Sequence, residues 1–391
     1  MVSSAQILRM IGSAAVAVLS VLTPCSSAQD YPVVSLREEI IQIDVKTAQG
    51  RFALETTVYK PEGQGPFPLL IMNHGKDFVE PSQQARARFV ALSREFVSRG
   101  YAVVIPMRQG FSKSGGSFRH GGCNIVDTGL LQASDIRAVL NVMRTLPWVD
   151  AGHIVVGGQS FGGLAVLALG TEALPGVRGL INFAGGVMLK DSACDWRARL
   201  EMAVAHYGMK NRLPSLWFYG ENDSLFDIRL AERLQKAYTA AGGSAELINV
   251  GAFRQDAHRL VTSHHSVDIW WPATERFLRK VDMPTGDSVH LPPVAMPATA
   301  RSVSGASPEE LVRLSDQGRA GYQKFLTQTF PRAFAMSASG AWGWAEDGDD
   351  PAETALQQCQ KHAKDVCQLY AVNDQVIWQT QKQVAMAGNR N

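Results

Sequence analysis

Cysteine is scarce in this chain, with five residues in 391. None stands in a Cys-x-x-Cys spacing, so zinc ribbons and thioredoxin-type redox centres lack their ligands, and no metal site is expected. An excess of charge of one sign is also missing: 38 Lys and Arg face 36 Asp and Glu, a formal net charge of +2. Such a balance supplies no overall field to draw the protein onto nucleic acid, and no nucleic-acid partner is expected. Long hydrophobic runs are lacking too. The apolar stretch 10–22 is interrupted by Gly12, Ser13 and Ser20 and falls short of the roughly 20 residues of a bilayer span, so stable membrane insertion is not expected. What the chain does have is 46% hydrophobic and 19% charged residues, enough to bury a large core and to exclude wholesale disorder or a collagen-like fibre.

The N-terminus carries processing information. Arg9 is the only charged side chain before Asp30, and Ser26-Ser27-Ala28 places small residues where a signal peptidase needs them. Residues 1–28 are therefore expected to be a signal peptide cleaved before Gln29. Four cysteines then remain, Cys123, Cys194, Cys359 and Cys367. In an oxidising compartment an even number points to two disulfides with three possible connectivities, and pairing within regions is expected, Cys123 with Cys194 and Cys359 with Cys367.

From about residue 38 to 281 strand-like and helix-like segments alternate, which is the pattern of an α/β fold with crossover helices. Residues 51–60 alternate, while 67–72, 101–106, 153–157, 177–183 and 216–219 are short apolar runs of the buried-strand type. Between them Ile136, Val139, Leu140 and Met143 share a helix face, as do Leu230, Leu234 and Tyr238. These elements define an expected catalytic domain at 29–281. Residues 282–306, with Pro284, Pro292, Pro293 and Pro297, read as an extended linker. Residues 307–391 read as a small α+β module: a helix opened by Ser307-Pro308-Glu309-Glu310, strands around Phe334 and Trp342, a helix from Asp350-Pro351 through Lys364, and a strand at 369–372.

The chemistry begins at Gly157-Gly158-Gln159-Ser160-Phe161-Gly162-Gly163, which follows an apolar run and precedes the helical residues 164–169. A nucleophile on a sharp strand-to-helix turn needs glycines around it, because side chains there collide with the neighbouring strand and helix. Ser160 is the expected nucleophile. A serine hydroxyl is a weak nucleophile at neutral pH and needs a base, itself oriented by an acid. Asp223 follows the apolar run 216–219 and His258 follows the last strand-like run, 247–250, in the chain order Ser, acid, His. Each falls at the carboxyl end of a strand, so in a parallel sheet all three share one rim. Glu221 and Asp227 are the competing acids, and His264 and His265 the competing bases. The backbone N–H groups of Phe161, directly after the nucleophile, and of Lys76, in Asn73-His74-Gly75-Lys76, are the expected oxyanion donors. His74 is expected to be a structural hydrogen-bonding residue near the site, with substrate binding as its alternative role.

Ser160, Asp223, His258, the His74-Gly75 pair and the loop Arg108-Gln109-Gly110-Phe111-Ser112-Lys113-Ser114-Gly115-Gly116 resemble the α/β-hydrolase superfamily. Within it the chain is most similar to the dienelactone-hydrolase-like and prolyl-oligopeptidase-like branches. The resemblance implies a mostly parallel sheet flanked by helices, no cofactor, and hydrolysis of a carboxylic ester or related acyl bond through an acyl-enzyme. The same residues would serve a peptidase or an acyltransferase. Typical dienelactone hydrolases carry a cysteine nucleophile where this chain has Ser160, and the short stretch between residue 29 and the first strand leaves no room for the propeller that prolyl-oligopeptidase-like enzymes carry. Lys76, Arg108, Arg119 and His120 are candidates for the mouth of the site, where they would favour a small substrate bearing a carboxylate.

Two features remain. Asn222-Asp223-Ser224 is a glycosylation sequon around the expected acid, and a glycan there would crowd the rim; export from a bacterium, periplasmic or secreted, is therefore expected. The C-terminal module, with Trp342, Trp344 and Trp378, is the candidate surface for a further partner, which would make the protein a binding protein of the envelope.

Overall fold

The computed structural model describes residues 36–189, 194–287, 289, 291, 301–303, 311 and 313–378. The expected signal peptide and the expected capped helix start at Ser307-Pro308 lie outside these residues, as does most of the Pro-rich stretch.

Runs such as Leu69-Leu70-Ile71-Met72 have no polar face, so they are stable as strands covered on both sides. All four side chains are buried. They belong to β3 (Phe67–Asn73) in an eight-stranded sheet that also holds β1 (Glu38–Thr47), β2 (Gly50–Tyr59), β4 (Ala102–Pro106), β5 (Val149–Gln159), β6 (Val177–Phe183), β7 (Pro214–Tyr219) and β8 (Ser244–Asn249). The spatial order is β1-β2-β4-β3-β5-β6-β7-β8. β1 and β2 form an antiparallel hairpin, β2 meets β4 antiparallel, and every pairing from β4 to β8 is parallel. The parallel strands therefore end on one rim.

Helices α2 (Ile125–Met143), α3 (Phe161–Leu169), α4 (Trp196–Lys210) and α5 (Ile228–Ala240) cover one face through Ile136, Leu164, Leu200 and Leu234. On the other face lie α1 (Val90–Val97) and α6 (Val267–Lys280), through Phe96, Trp270 and Phe277. Local chemistry sets the helix starts. Asn124 caps α2 by accepting from the Asp127 N–H at 3.2 Å, and Asp227 caps α5 by accepting from the Leu230 N–H at 3.0 Å. Cys123 and Cys194 form a disulfide across a sequence separation of 71, joining the residue before the cap of α2 to the residue before Asp195, the cap of α4. A loop of that length gives a bond worth about 2–4 kcal/mol.

The C-terminal residues form a five-stranded antiparallel sheet in the order β11-β10-β12-β13-β9, from β9 (Arg301–Ser302), β10 (Arg332–Ser337), β11 (Trp342–Glu346), β12 (Cys367–Val372) and β13 (Gln375–Val376). Helix α7 (Asp316–Leu326) packs Tyr322 and Phe325 on one face, and α8 (Pro351–Gln360) packs Ala355 and Cys359 on the other. Cys359 is bonded to Cys367.

Two boundaries differ from expectation. Arg301–Ser302, read as linker, pair with β13; a two-residue bridge has no periodicity to announce it. The start expected at Ser307 is outside the described residues; Leu311 is helical, and α7 opens separately on a cap from Ser315, which accepts from the Gly318 N–H at 3.2 Å. Helix α8 starts at Asp350-Pro351 as expected but ends at Gln360, short of Lys364. Trp342, Trp344 and Trp378 are half-buried against the module's core, with Trp342 stacked on Phe334 at 6.1 Å between ring centres. No helix among the described residues is long and apolar enough to cross a membrane.

Candidate active site

Ser160 sits between the end of β5 and the start of α3 with φ 55° and ψ −121°. That backbone is strained for a residue with a Cβ and persists where neighbours over-determine it. The Ser160 N–H donates to the Phe183 carbonyl at 2.8 Å, and the Ser160 carbonyl accepts from the Gly186 N–H at 3.0 Å. Gly162 is required by close approach: a Cβ there would lie 2.3 Å from the Asn73 carbonyl oxygen and 2.6 Å from that of His74. The turn thus presses the loop after β3 against Ser160 and aims its hydroxyl out of the sheet.

The hydroxyl meets the base that the chain order proposes. His258 Nε2 lies 2.9 Å from Ser160 Oγ, and His258 Nδ1 lies 3.0 Å and 3.2 Å from the two oxygens of Asp223. Asp223 Oδ1 also accepts from the N–H groups of Leu225 and Phe226, each at 2.8 Å. A carboxylate with these donors is held as an acceptor, which assigns the proton of a neutral His258 to Nδ1 and leaves Nε2 free to accept from Ser160. Ser160 and Asp223 are both buried.

The competing residues are otherwise engaged. Asp227 is the cap of α5. Glu221 faces the Asn249 amide at 3.4 Å. His264 lies in a 3-10 turn, His264–Ser266, and is buried; burial is the main cause of its pKa falling to about 4. His265 donates its N–H to Ser263 Oγ at 3.1 Å.

Residues expected at the mouth divide. Lys76 is exposed, with its ammonium 5.7 Å from the Phe118 ring centre, and Arg119 and His120 are exposed beside Phe118. Arg108 is not at the mouth. It is fully buried, its Nε donates to Gln132 Oε1 at 2.8 Å, and burial lowers its pKa to about 9 against the opposing Asp135 carboxylate. An arginine in a polar loop is read as exposed because its type seldom enters the interior, and here the loop folds inward beneath Phe111 and Phe161. His74 is buried as well; its Nδ1 faces the Gly75 carbonyl at 2.6 Å and its Nε2 accepts from the Arg108 N–H at 3.1 Å. Burial and then the Arg108 charge hold the His74 ring well below the usual histidine range, so it stays neutral and joins the loops after β3 and β4.

Gly75 brings the first of those loops to the site: a Cβ there would lie 3.1 Å from Ser160 Cβ. The backbone N–H groups of Lys76 and Phe161 belong to the two segments that flank Ser160. Around them stand aromatic rings, Phe118 at 6.0 Å from Phe161 and Phe226 at 5.5 Å from His258, with Trp196 behind Phe226. Asp256 was not among the expected site residues, yet it binds the turns of both Asp223 and His258. Its Oδ1 accepts from the His258 N–H at 2.9 Å and from the Ser224 N–H at 3.0 Å.

Among solved structures, a Bacteroides ovatus protein assigned as a dipeptidyl aminopeptidase IV superposes on this chain with a TM-score of 0.50 at 17% identity, covering 62% of this chain and 36% of its own. The chain has the α/β-hydrolase fold. Its similarities lie with the dienelactone-hydrolase and prolyl-peptidase-like branch. A Klebsiella pneumoniae protein assigned as a dienelactone hydrolase gives a TM-score of 0.43 at 17% identity over 62% of this chain and 98% of its own. Residues 50–239 match the family model of the X-Pro dipeptidyl-peptidases, peptidase family S15, a span that includes Ser160 and Asp223. The quorum-quenching protein AidA of Acinetobacter baumannii is 29% identical over 126 residues, 32% of this chain and 38% of AidA. The chain thus spans less than half the length of that curated relative.

Proposed function

We propose that the protein is an exported serine hydrolase that cleaves carboxylic esters through Ser160, His258 and Asp223. The observation that carries this reading is the continuous hydrogen-bond chain from Ser160 Oγ through His258 to the buried Asp223. His258 Nε2 takes the Ser160 proton as Oγ attacks the carbonyl carbon. The backbone N–H groups of Phe161 and Lys76 receive the negative charge that develops on the carbonyl oxygen, helped by the positive N-terminal end of α3. His258 then returns the proton to the leaving alcohol, and an acyl-Ser160 ester remains. Water, activated by His258 in the same way, releases the acid. Asp223 fixes the imidazole tautomer throughout and stabilises its charged form.

The rings of Phe118 and Phe226 support an apolar acyl group beside the nucleophile, and exposed Lys76 and Arg119 leave room for an anionic substituent at the rim. The two disulfides support an oxidising compartment. Asn222 supports one without N-glycosylation: its Oδ1 accepts from the Phe253 N–H at 2.9 Å and its Nδ2 donates to the Arg254 carbonyl at 3.0 Å, bonds that a glycan would disrupt. The domain reading is an α/β catalytic unit followed by a small C-terminal module.

Ser160→Ala is expected to abolish both hydrolysis of short p-nitrophenyl esters and labelling by a fluorophosphonate. Labelling that survives the substitution rejects the nucleophile. Parallel trials on dipeptide amides and on an added alcohol acceptor separate the esterase from the peptidase and the acyltransferase.

A further inference from the structure

The segment that carries His258 is a short turn, Ala257–Thr262, in 3-10 form, with Ala257, Leu260 and Val261 packed into the core. A turn this short has no helix-length hydrogen-bond ladder of its own, so the position of its imidazole depends on what holds its ends. One carboxylate holds both, and it comes from the C-terminal module. Asp347, at the end of β11, accepts from the Arg254 guanidinium at 2.8 Å on the near side of His258. On the far side it accepts from the His264 N–H at 2.8 Å and from the Ser263 hydroxyl. Residues 254 and 263–264 are thereby fastened to a single side chain with His258 between them. Burial works against the charge of Asp347, but the bonds from Ser263 and His264 hold its carboxyl below the usual range.

The module is in turn anchored where the clip is made. Asp349 accepts from the N–H groups of Arg88, Phe89 and Val90 at 3.2, 2.9 and 3.0 Å, capping α1 from across the chain. Asp350 pairs with the Arg88 guanidinium. Arg254 has φ 46° and Asp347 φ 56°, so both sides of the clip adopt backbone that needs external support.

We propose that Asp347 is a positioning residue for His258, and that the C-terminal module serves the reaction by clamping the histidine-bearing turn. The inference rests on the serine-hydrolase reading above. Misplacing a catalytic group by about 1 Å can cost about 100-fold in rate, whereas a clamp of this kind touches no substrate.

The test is made on the full chain with a fluorophosphonate and a p-nitrophenyl ester. Asp347→Ala is expected to lower both the labelling rate and kcat by about 10- to 100-fold, with KM within about twofold. Asp347→Asn keeps an acceptor for the His264 N–H and should recover part of the loss; it also serves if the alanine variant does not fold. Asp365→Ala is the control. Asp365 binds the Ser339 N–H at 2.9 Å within the module, so its removal should lower thermal stability and leave kcat unchanged. Folded Asp347 variants with the parent labelling rate would overturn the inference, as would an equal loss of kcat in the Asp365 variant. Ser160→Ala is run alongside: if it still labels, the hydrolase reading fails, and if it alone abolishes labelling while Asp347→Ala does not slow it, the clamp fails.

Discussion

Asp256 grips Ser224 twice, at its backbone N–H at 3.0 Å and at its hydroxyl at 2.7 Å. The same carboxylate caps the His258 turn, so the acid and the base of the proposed triad reach their 3.0 Å separation through a residue that touches neither side chain's reacting atoms.

Asp256→Ala should therefore lower kcat for ester hydrolysis by about tenfold with little change in KM, because the two turns lose their shared tie. Ser224→Ala removes one of the three bonds and should cost less. Burial opposes the charge of Asp256, while its bonds from Ser224 and His258 hold its pKa below the usual carboxylate value. A depressed folded pKa contributes stability that is present above the unfolded value of about 3.9 and is lost as pH falls through the folded one. The tie should hold at neutral pH and release in acid. Steady-state kinetics of both variants at pH 7 decide the matter; parent-like kcat for Asp256→Ala would show that the tie is dispensable.

The parts of this architecture that sequence discloses are those written in neighbouring residues. Apolar runs without a polar face announce buried parallel strands, and Ser160 is announced by the glycines that a crowded strand-to-helix turn demands. Asp223 and His258 are placed by chain order and by falling just past strand ends. Asp256 and Asp347 leave no such trace. Their partners lie 32 residues away at Ser224, and 84 and 93 residues away at Ser263 and Arg254, and no local periodicity connects them. Arg108 failed as a mouth residue for a related reason: its polarity describes the side chain, while its burial is decided by how a whole loop folds under Phe111.

His264 makes stability depend on acid in a defined window. Its pKa is lowered to about 4, first by burial and then by the Arg94 charge, with Asp347 opposing and His265 adding to the fall. The unfolded chain takes up this proton near pH 6.5 and the folded one does not until about pH 4, so the unfolded state binds more protons between those values. Stability should fall as pH drops from 6.5 to 4, by about 3 kcal/mol, and then level off for this group. Urea unfolding at pH 7.0, 5.5 and 4.5 measures the slope. His264→Gln should flatten it, and an unchanged slope in that variant would assign the effect to other groups.

Gly75 and Gly162 both crowd the turn at Ser160, yet alanine should act differently at each. A Cβ at Gly162 would meet backbone oxygens of Asn73 and His74 at 2.3 and 2.6 Å, which cannot move without displacing β3. Alanine gains about 1 kcal/mol of helix propensity there, but overpacking against fixed atoms costs about 1–3 kcal/mol or more, and the loss prevails. A Cβ at Gly75 would meet Gln159 Oε1 at 2.5 Å and Ser160 Cβ at 3.1 Å. The amide end of Gln159 can swing aside by giving up its 3.1 Å bond to the His258 carbonyl, so the fold survives. The methyl group would then lie beside Ser160 and shift the Lys76 N–H that is assigned to the oxyanion, a donor whose loss typically costs about 100- to 1000-fold in kcat. Gly162→Ala should thus lower the unfolding midpoint together with activity, whereas Gly75→Ala should keep the midpoint within a few degrees and lose about 100-fold in kcat. Thermal unfolding and ester hydrolysis on the two variants give the comparison; a Gly75→Ala enzyme with parent kcat would remove the loop after β3 from the oxyanion site.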